Sequence, residues 1–211
     1  MKLIDYSKNV YSQNGEDGIV EELLSSLGIT QGTMVEFGGW DGVWLSNVFH
    51  HWKEKNFNII SIEAIQSKHK EAKNLFKHYE NYQCFCDFIE PAASVMSIHH
   101  DRPDYVQEEG DRHWQRKHQS QYIKKYGGRF IEKSEGHHPY KKYTWVPSES
   151  LDQKLERYGL DPKELVLMSI DVDGEDFNIF KSIRKYLPII LIIEDSVEEH
   201  VTQIEEMGYK F

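Results

Sequence analysis

Met34-Val35-Glu36-Phe37-Gly38-Gly39-Trp40-Asp41-Gly42 is a short apolar strand that runs into a glycine-rich turn. One carboxylate stands just before the turn and another inside it. A second apolar strand, Ile59-Ile60-Ser61-Ile62, follows and ends in an acid, Glu63. Glycines let a backbone approach a ligand closely, and an acid closing the next strand can accept two hydrogen bonds from a ribose diol. The order therefore suits a nucleotide-type ligand.

Outward from this stretch, apolar strands alternate with amphipathic segments. Ile19, Val20, Leu23, Leu24 and Leu27 follow a helical stripe that Gly28 can stop. The spacing predicts a strand over 33–37 and a helix near 44–54, with Trp44, Leu45, Val48, Phe49 and Trp52 on one side. It then predicts strand 58–63, helix 67–79, strand 82–86, strand 165–170, helix 175–186, strand 189–193 and a last helix over 196–207. Continuous apolar strands separated by helices indicate a mostly parallel α/β sheet covered on both faces. Ligands on such sheets bind outside the carboxyl ends of the strands. Those ends carry Glu36, Glu63, Asp87, Asp171 and Glu194, more acid than core packing calls for.

The 211 residues suffice for one α/β domain, 1–211, and are too few for two ordinary ones. Residues 90–147 break the rhythm. They hold six of the eleven histidines, two tryptophans and Gly127-Gly128, and are expected to form an acceptor-binding element or lid. A net charge of −10 argues against general nucleic acid binding, although Lys124-Lys125 or Lys141-Lys142 could form a local basic patch. No apolar run is long enough for a membrane span, and the N-terminus turns polar too early for a signal peptide. A cytoplasmic location is expected. Cys84 and Cys86 suit neither a mutual disulfide nor a zinc site, and are read as reduced structural residues.

Several further groups carry chemistry. Gln13-Asn14-Gly15-Glu16-Asp17-Gly18 precedes the first helix; capping explains the acids, while Gln13 is a candidate ligand contact. Ser46-Asn47 is placed inside the helix after the glycine turn, where Asn47 could meet a ligand carboxylate. Asp171-Val172-Asp173-Gly174-Glu175-Asp176 concentrates four acids at a strand end. Glu175 and Asp176 suit a helix start, which leaves Asp171 and Asp173 to contact a cationic ligand or orient an acceptor hydroxyl. Glu194, beside Asp171 in this winding, could complete a hard oxygen site for Mg²⁺. A histidine among 99, 100, 137 and 138 could serve as a general base.

Taken together, Ser12 to Gly18, Val35 to Gly42, Ser46-Asn47, Ile62-Glu63-Ala64, Ser150-Leu151-Asp152 and Ser169 to Gly174 resemble the FkbM-type family of class I S-adenosylmethionine-dependent methyltransferases. The likeness covers most of the chain but not 90–147. It implies a Rossmann-like fold, here with the C-terminal strands abbreviated, and S-adenosyl-L-methionine as cofactor. It implies that Glu36, Gly38, Asp41 and Gly42 lie at the methionine part, Glu63 on the ribose and Asp87 near the adenine; Gly39, in the same turn, is a further candidate cofactor contact. Asp171 is implied beside the sulfonium and the acceptor, with Asp173 and Glu194 as further catalytic candidates. The expected reaction is O-methylation of a small molecule or sugar, with no nucleic acid or membrane partner and a homo-oligomer allowed. Many relatives carry Lys where Ser169 stands, so no role for that lysine transfers. Two rival readings are a Mg²⁺-dependent haloacid-dehalogenase-like phosphohydrolase built on Asp171 and a non-catalytic cofactor-binding module.

Overall fold

A computed structural model describes residues 2–87, 150–172, 176–194 and 197–210, with the backbone of strands 129–133 and 142–146. After a 3-10 turn, Leu3–Tyr6, the chain forms α1 (Glu16–Ser26), β1 (Thr33–Phe37), α2 (Phe49–Lys55), β2 (Asn58–Ile62), α3 (Gln66–Phe76) and β3 (Tyr82–Phe85). Strands β4 (Arg129–Lys133) and β5 (Lys142–Val146) pair antiparallel as a separate ribbon. Then come α4 (Leu151–Arg157), β6 (Leu165–Ile170), α5 (Asp176–Ser182), β7 (Ile190–Ile193) and α6 (Glu198–Glu206). Apart from β4 and β5, the expected lid at about 90–147 lies outside the described residues, as do the histidines at 99, 100, 137 and 138.

The main sheet has the order β3-β2-β1-β6-β7, and every neighbouring pair in it is parallel. This is the doubly wound α/β architecture expected from the continuous apolar strands, because only a sheet covered on both faces buries them fully. Every residue of β1 and β6 is buried. One face packs Val35, Phe37, Ile60, Ile62, Met168 and Ile170 against Leu151, Leu155, Phe177, Phe180 and Ile204 from α4, α5 and α6. The other packs Met34, Ile59 and Leu167 against Val20, Leu24, Phe49, Ala72 and Phe76 from α1, α2 and α3.

Two boundaries move for physical reasons. The helix expected over 44–54 begins only at Phe49, because Leu45 takes a left-handed φ of 58° and breaks any earlier turn. Ser46 and Asn47 thus precede the helix rather than lying inside it. The helix expected over 175–186 ends at Ser182, where the backbone N–H groups of Arg184 and Lys185 turn aside to donate to the Asp152 carboxylate. Helix α4 carries a complete capping box: Ser150 Oγ accepts from Gln153 N at 3.2 Å while Gln153 Oε1 accepts from Ser150 N at 2.8 Å. Cys84 is half-buried and Cys86 exposed, and neither is in a disulfide. Burial pushes the Cys84 thiol up to about 11, which leaves it unreactive at neutral pH.

Candidate active site

Strand β1 sits centrally, with β2 on one side and β6 on the other, so the winding reverses at its carboxyl end. The loop leaving it is pinned between both neighbours. Gly38 N and Gly39 N donate to the carbonyl of Ile62 at 3.0 and 3.3 Å. Gly38 has a φ of 75°, and a Cβ there would collide with the Asp171 carbonyl oxygen. Only glycine permits this approach, which brings the glycine loop against the end of β6. Further along, Trp40 and Leu45 hold left-handed φ values of 46° and 58°. Such conformations cost bulky L-residues about 1–2 kcal/mol each, so something must hold them.

Three carboxylates do so. Glu63, buried at the end of β2, accepts from Trp40 N at 2.9 Å and from Ile65 N at 2.6 Å, one bond on each oxygen. Asp41 Oδ1 accepts from Val43 N at 3.0 Å and Trp44 N at 2.8 Å. Glu36 accepts from Ser46 Oγ at 2.8 Å and Asn47 N at 2.7 Å, while Asn47 Nδ2 donates to Ser169 Oγ at 3.0 Å. Ser169, on β6, therefore anchors the Asn47 side chain. Ser46 Oγ also accepts from Phe49 N at 3.1 Å, so the same hydroxyl joins Glu36 to the start of α2.

Burial pushes the Glu36 carboxyl up to about 7 against the lowering effect of its Ser46 and Asn47 bonds, and repulsion from Asp171 and Asp17 adds to the rise. A carboxyl raised above its ordinary value holds its proton more firmly folded than unfolded. Its contribution to stability therefore falls as pH climbs from about 4.5 to about 7, and is level above that. Buried His51 acts in the opposite sense: its pKa falls to about 4, so charging it as pH drops from 6.5 opposes folding. The comparison that isolates Glu36 is thus wild type against Glu36→Gln. The variant is expected to gain on wild type between pH 5 and pH 7.5 by up to about 3 kcal/mol in urea unfolding. Equal gaps at both pH values would refute a protonated Glu36.

Asp171 follows β6 and is exposed; Glu194 follows β7 at the neighbouring position, with Glu194 N donating to Ile170 O at 3.4 Å. The parallel register brings these two acids to one rim. Asp173, Glu175 and Asp195 lie outside the described residues, and among those described no three His, Cys, Asp or Glu side chains cluster to hold a metal. Asp176 is buried and accepts from Val172 N at 2.9 Å.

Asp87 is drawn to α4. Its carboxylate accepts from Lys154 Nζ at 2.6 Å, from Arg157 Nη2 at 3.2 Å and from the Tyr158 hydroxyl. Burial alone would raise its pKa; these bonds outweigh that and hold it below the usual range. The sequence offered no local sign of this link, because its partners stand some seventy residues on. Asp87→Ala is expected to cost about 2 kcal/mol in urea unfolding, less than a fully buried pair because 22% of the Asp87 side chain stays exposed. An accompanying loss of cofactor affinity would reveal an adenine contact as well.

Gln13 is exposed, and its backbone carbonyl accepts from Asn9 Nδ2 at 2.8 Å. The working member of that segment is Asp17, fully buried, whose Oδ2 gathers the N–H groups of Val10, Tyr11 and Ser12 at 2.7–2.9 Å. The acids in the first turn of α1 thus shape the loop leading into it.

A doubly wound sheet with a glycine loop at the switch point and an acid ending β2 is a Rossmann-like architecture suited to a nucleotide-type ligand. Residues 41–211 match the model of the methyltransferase FkbM domain, and the chain belongs to that family. A solved structure of a candidate S-adenosyl-L-methionine-dependent methyltransferase from Methanococcus maripaludis is similar at 22% identity, with a TM-score of 0.27, over 35% of this chain and 36% of that one. The chain thus matches about a third of that protein's length. No curated protein matches. Family membership replaces the phosphohydrolase reading of Asp171. Among the described residues, no helix is long and apolar enough to cross a membrane.

Proposed function

We propose that the chain methylates a hydroxyl oxygen of a small molecule or sugar, with the cofactor held across the carboxyl ends of β1, β2 and β6. The observation that carries this is the pairing of Gly38, pressed against Asp171, with Glu63 at the end of the adjacent strand. A carboxylate offers about four acceptor sites, and the two backbone N–H groups on Glu63 leave room for a ribose diol. Gly38, Gly39, Asp41 and Gly42 line the loop where the methionine part would rest, with Asn47 behind it. When bound, the sulfonium supplies an electrophilic methyl group for in-line displacement by an oxygen nucleophile. Glu36, braced by Ser46 and Asn47, keeps the loop close to β6. Asp171, whose backbone carbonyl approaches Gly38, accepts the hydroxyl proton in this reading, with Glu194 next to it across the β6–β7 register.

Calorimetric titration with S-adenosylhomocysteine, followed by a panel of phenolic and sugar acceptors with labelled S-adenosylmethionine, tests the reading. Binding together with label transfer to an oxygen is expected. Silence from the cofactor product would overturn it, and binding without transfer to any hydroxyl would leave a cofactor-binding module.

A further inference from the structure

Tyr82 opens β3 and is 4% exposed, enclosed by aromatic rings. Phe76 stacks on it with ring centroids 3.6 Å apart, and Trp52 meets it edge-on at 5.3 Å. Phenylalanine would fill this space equally well and avoid the cost of desolvating a hydroxyl. The hydroxyl, however, reaches forty residues back along the chain and donates to the Gly42 carbonyl at 3.1 Å. Burial first, and the nearby Glu36 carboxyl second, raise its pKa well above the usual tyrosine value, so the phenol keeps the proton it donates.

Gly42 is buried at the far end of the glycine loop. Its N–H donates to the Gly39 carbonyl at 2.7 Å, which closes the turn, and its φ of 83° is left-handed. A Cβ there would come within 2.6 Å of Phe76 Cε2 and 3.0 Å of the Tyr82 hydroxyl oxygen, so the ring stack lies directly against the glycine. Ser61 Oγ, from β2, abuts Gly39 in the same way, 2.2 Å from where a Cβ would stand. The turn thus rests on two hydroxyls of the neighbouring strands, and Tyr82 fastens it by its carbonyl.

Resting on the function proposed above, we infer that Tyr82 is a positioning residue for the cofactor: its hydroxyl holds the Gly39–Gly42 turn in the shape that receives the methionine part. It acts through Gly42, from beneath the loop. Without that bond the buried carbonyl loses its partner, and the turn gains by shifting to find another. Affinity then falls with the fraction of molecules whose loop keeps the binding shape. The adenosine half depends less on that fraction, because Glu63 is also fixed from the Ile65 N–H.

The test is Tyr82→Phe, which removes one oxygen and keeps the ring stack. Calorimetry is expected to show S-adenosylhomocysteine binding roughly tenfold more weakly than to wild type. 5′-Methylthioadenosine, which lacks the amino-acid end, should lose no more than about threefold. Tyr79→Phe takes a hydroxyl from a half-exposed tyrosine that meets Trp52 edge-on at 5.0 Å, and should change neither affinity. An unchanged ratio of the two affinities in Tyr82→Phe, whatever happens to the urea midpoint, would leave the hydroxyl a structural role alone and overturn the inference. So would an equal loss in Tyr79→Phe, which would mean general loosening of the aromatic group. No binding of either ligand by wild type would instead refute the function on which the inference rests.

Discussion

Glu63→Ala is expected to weaken S-adenosylhomocysteine binding by about a hundredfold, the cost of two charge-assisted hydrogen bonds at roughly 1.5 kcal/mol each. The side chain is buried at the end of β2 and already organises its surroundings through Trp40 N and Ile65 N. Some of the loss would therefore come from loosening the loop, and a ligand lacking the diol separates the two contributions. An analogue without its ribose hydroxyls should bind wild type weakly and lose little more in the variant. The coupling between variant and analogue is the ribose contribution. If the analogue and the complete ligand lose affinity by the same factor, Glu63 acts only as a brace for the loop. Calorimetry on four protein–ligand pairs decides this.

The parallel sheet was legible because β1, β2 and β6 are nearly unbroken apolar runs, and burial on both faces has no other economical outcome. The rim was legible for the same reason: once the strands are parallel, Glu63, Asp171 and Glu194 must emerge at one edge. What the acids do there was not legible. Glu36 and Asp41 accept from groups within about a dozen residues, but the partners depend on the left-handed turns at Trp40 and Leu45. No propensity predicts left-handed tryptophan or leucine; tertiary hydrogen bonds impose it. That same turn undid the first part of the helix expected from Trp44 onward: Trp44 and Leu45 are exposed loop side chains, whereas Val48, Phe49 and Trp52 of the same stripe pack into the core. Asp87 shows the long-range version, with its partners fixed by where α4 docks. The capping box Ser150-x-x-Gln153 was a local signal, and reading it would have located the start of α4, though not its pairing with β3's exit.

Asp171→Asn is the substitution expected to separate chemistry from binding. The residue adjoins the glycine loop through Gly38, faces Glu194 across the β6–β7 register, and is near enough to Glu36 to raise that carboxyl. Asparagine has nearly the same shape but can neither accept a proton nor offset a cation. If Asp171 takes the acceptor's proton, kcat should fall by about 10² to 10⁴. Affinity for S-adenosylhomocysteine, whose sulfur is neutral, should change little. Affinity for S-adenosylmethionine should fall more, because a carboxylate beside a sulfonium contributes an attraction that the amide lacks. The informative quantity is thus the ratio of the two affinities, measured beside single-turnover transfer. An unchanged ratio with unchanged transfer would remove Asp171 from the site and shift the proton acceptor to Glu194 or to the segment between β3 and α4. A changed ratio with normal transfer would leave Asp171 as a counter-ion for the cofactor and give the base role to another group. Because Asp171 is exposed, neither result can be attributed to a collapsed core; urea unfolding of the variant should match wild type to within about 0.5 kcal/mol.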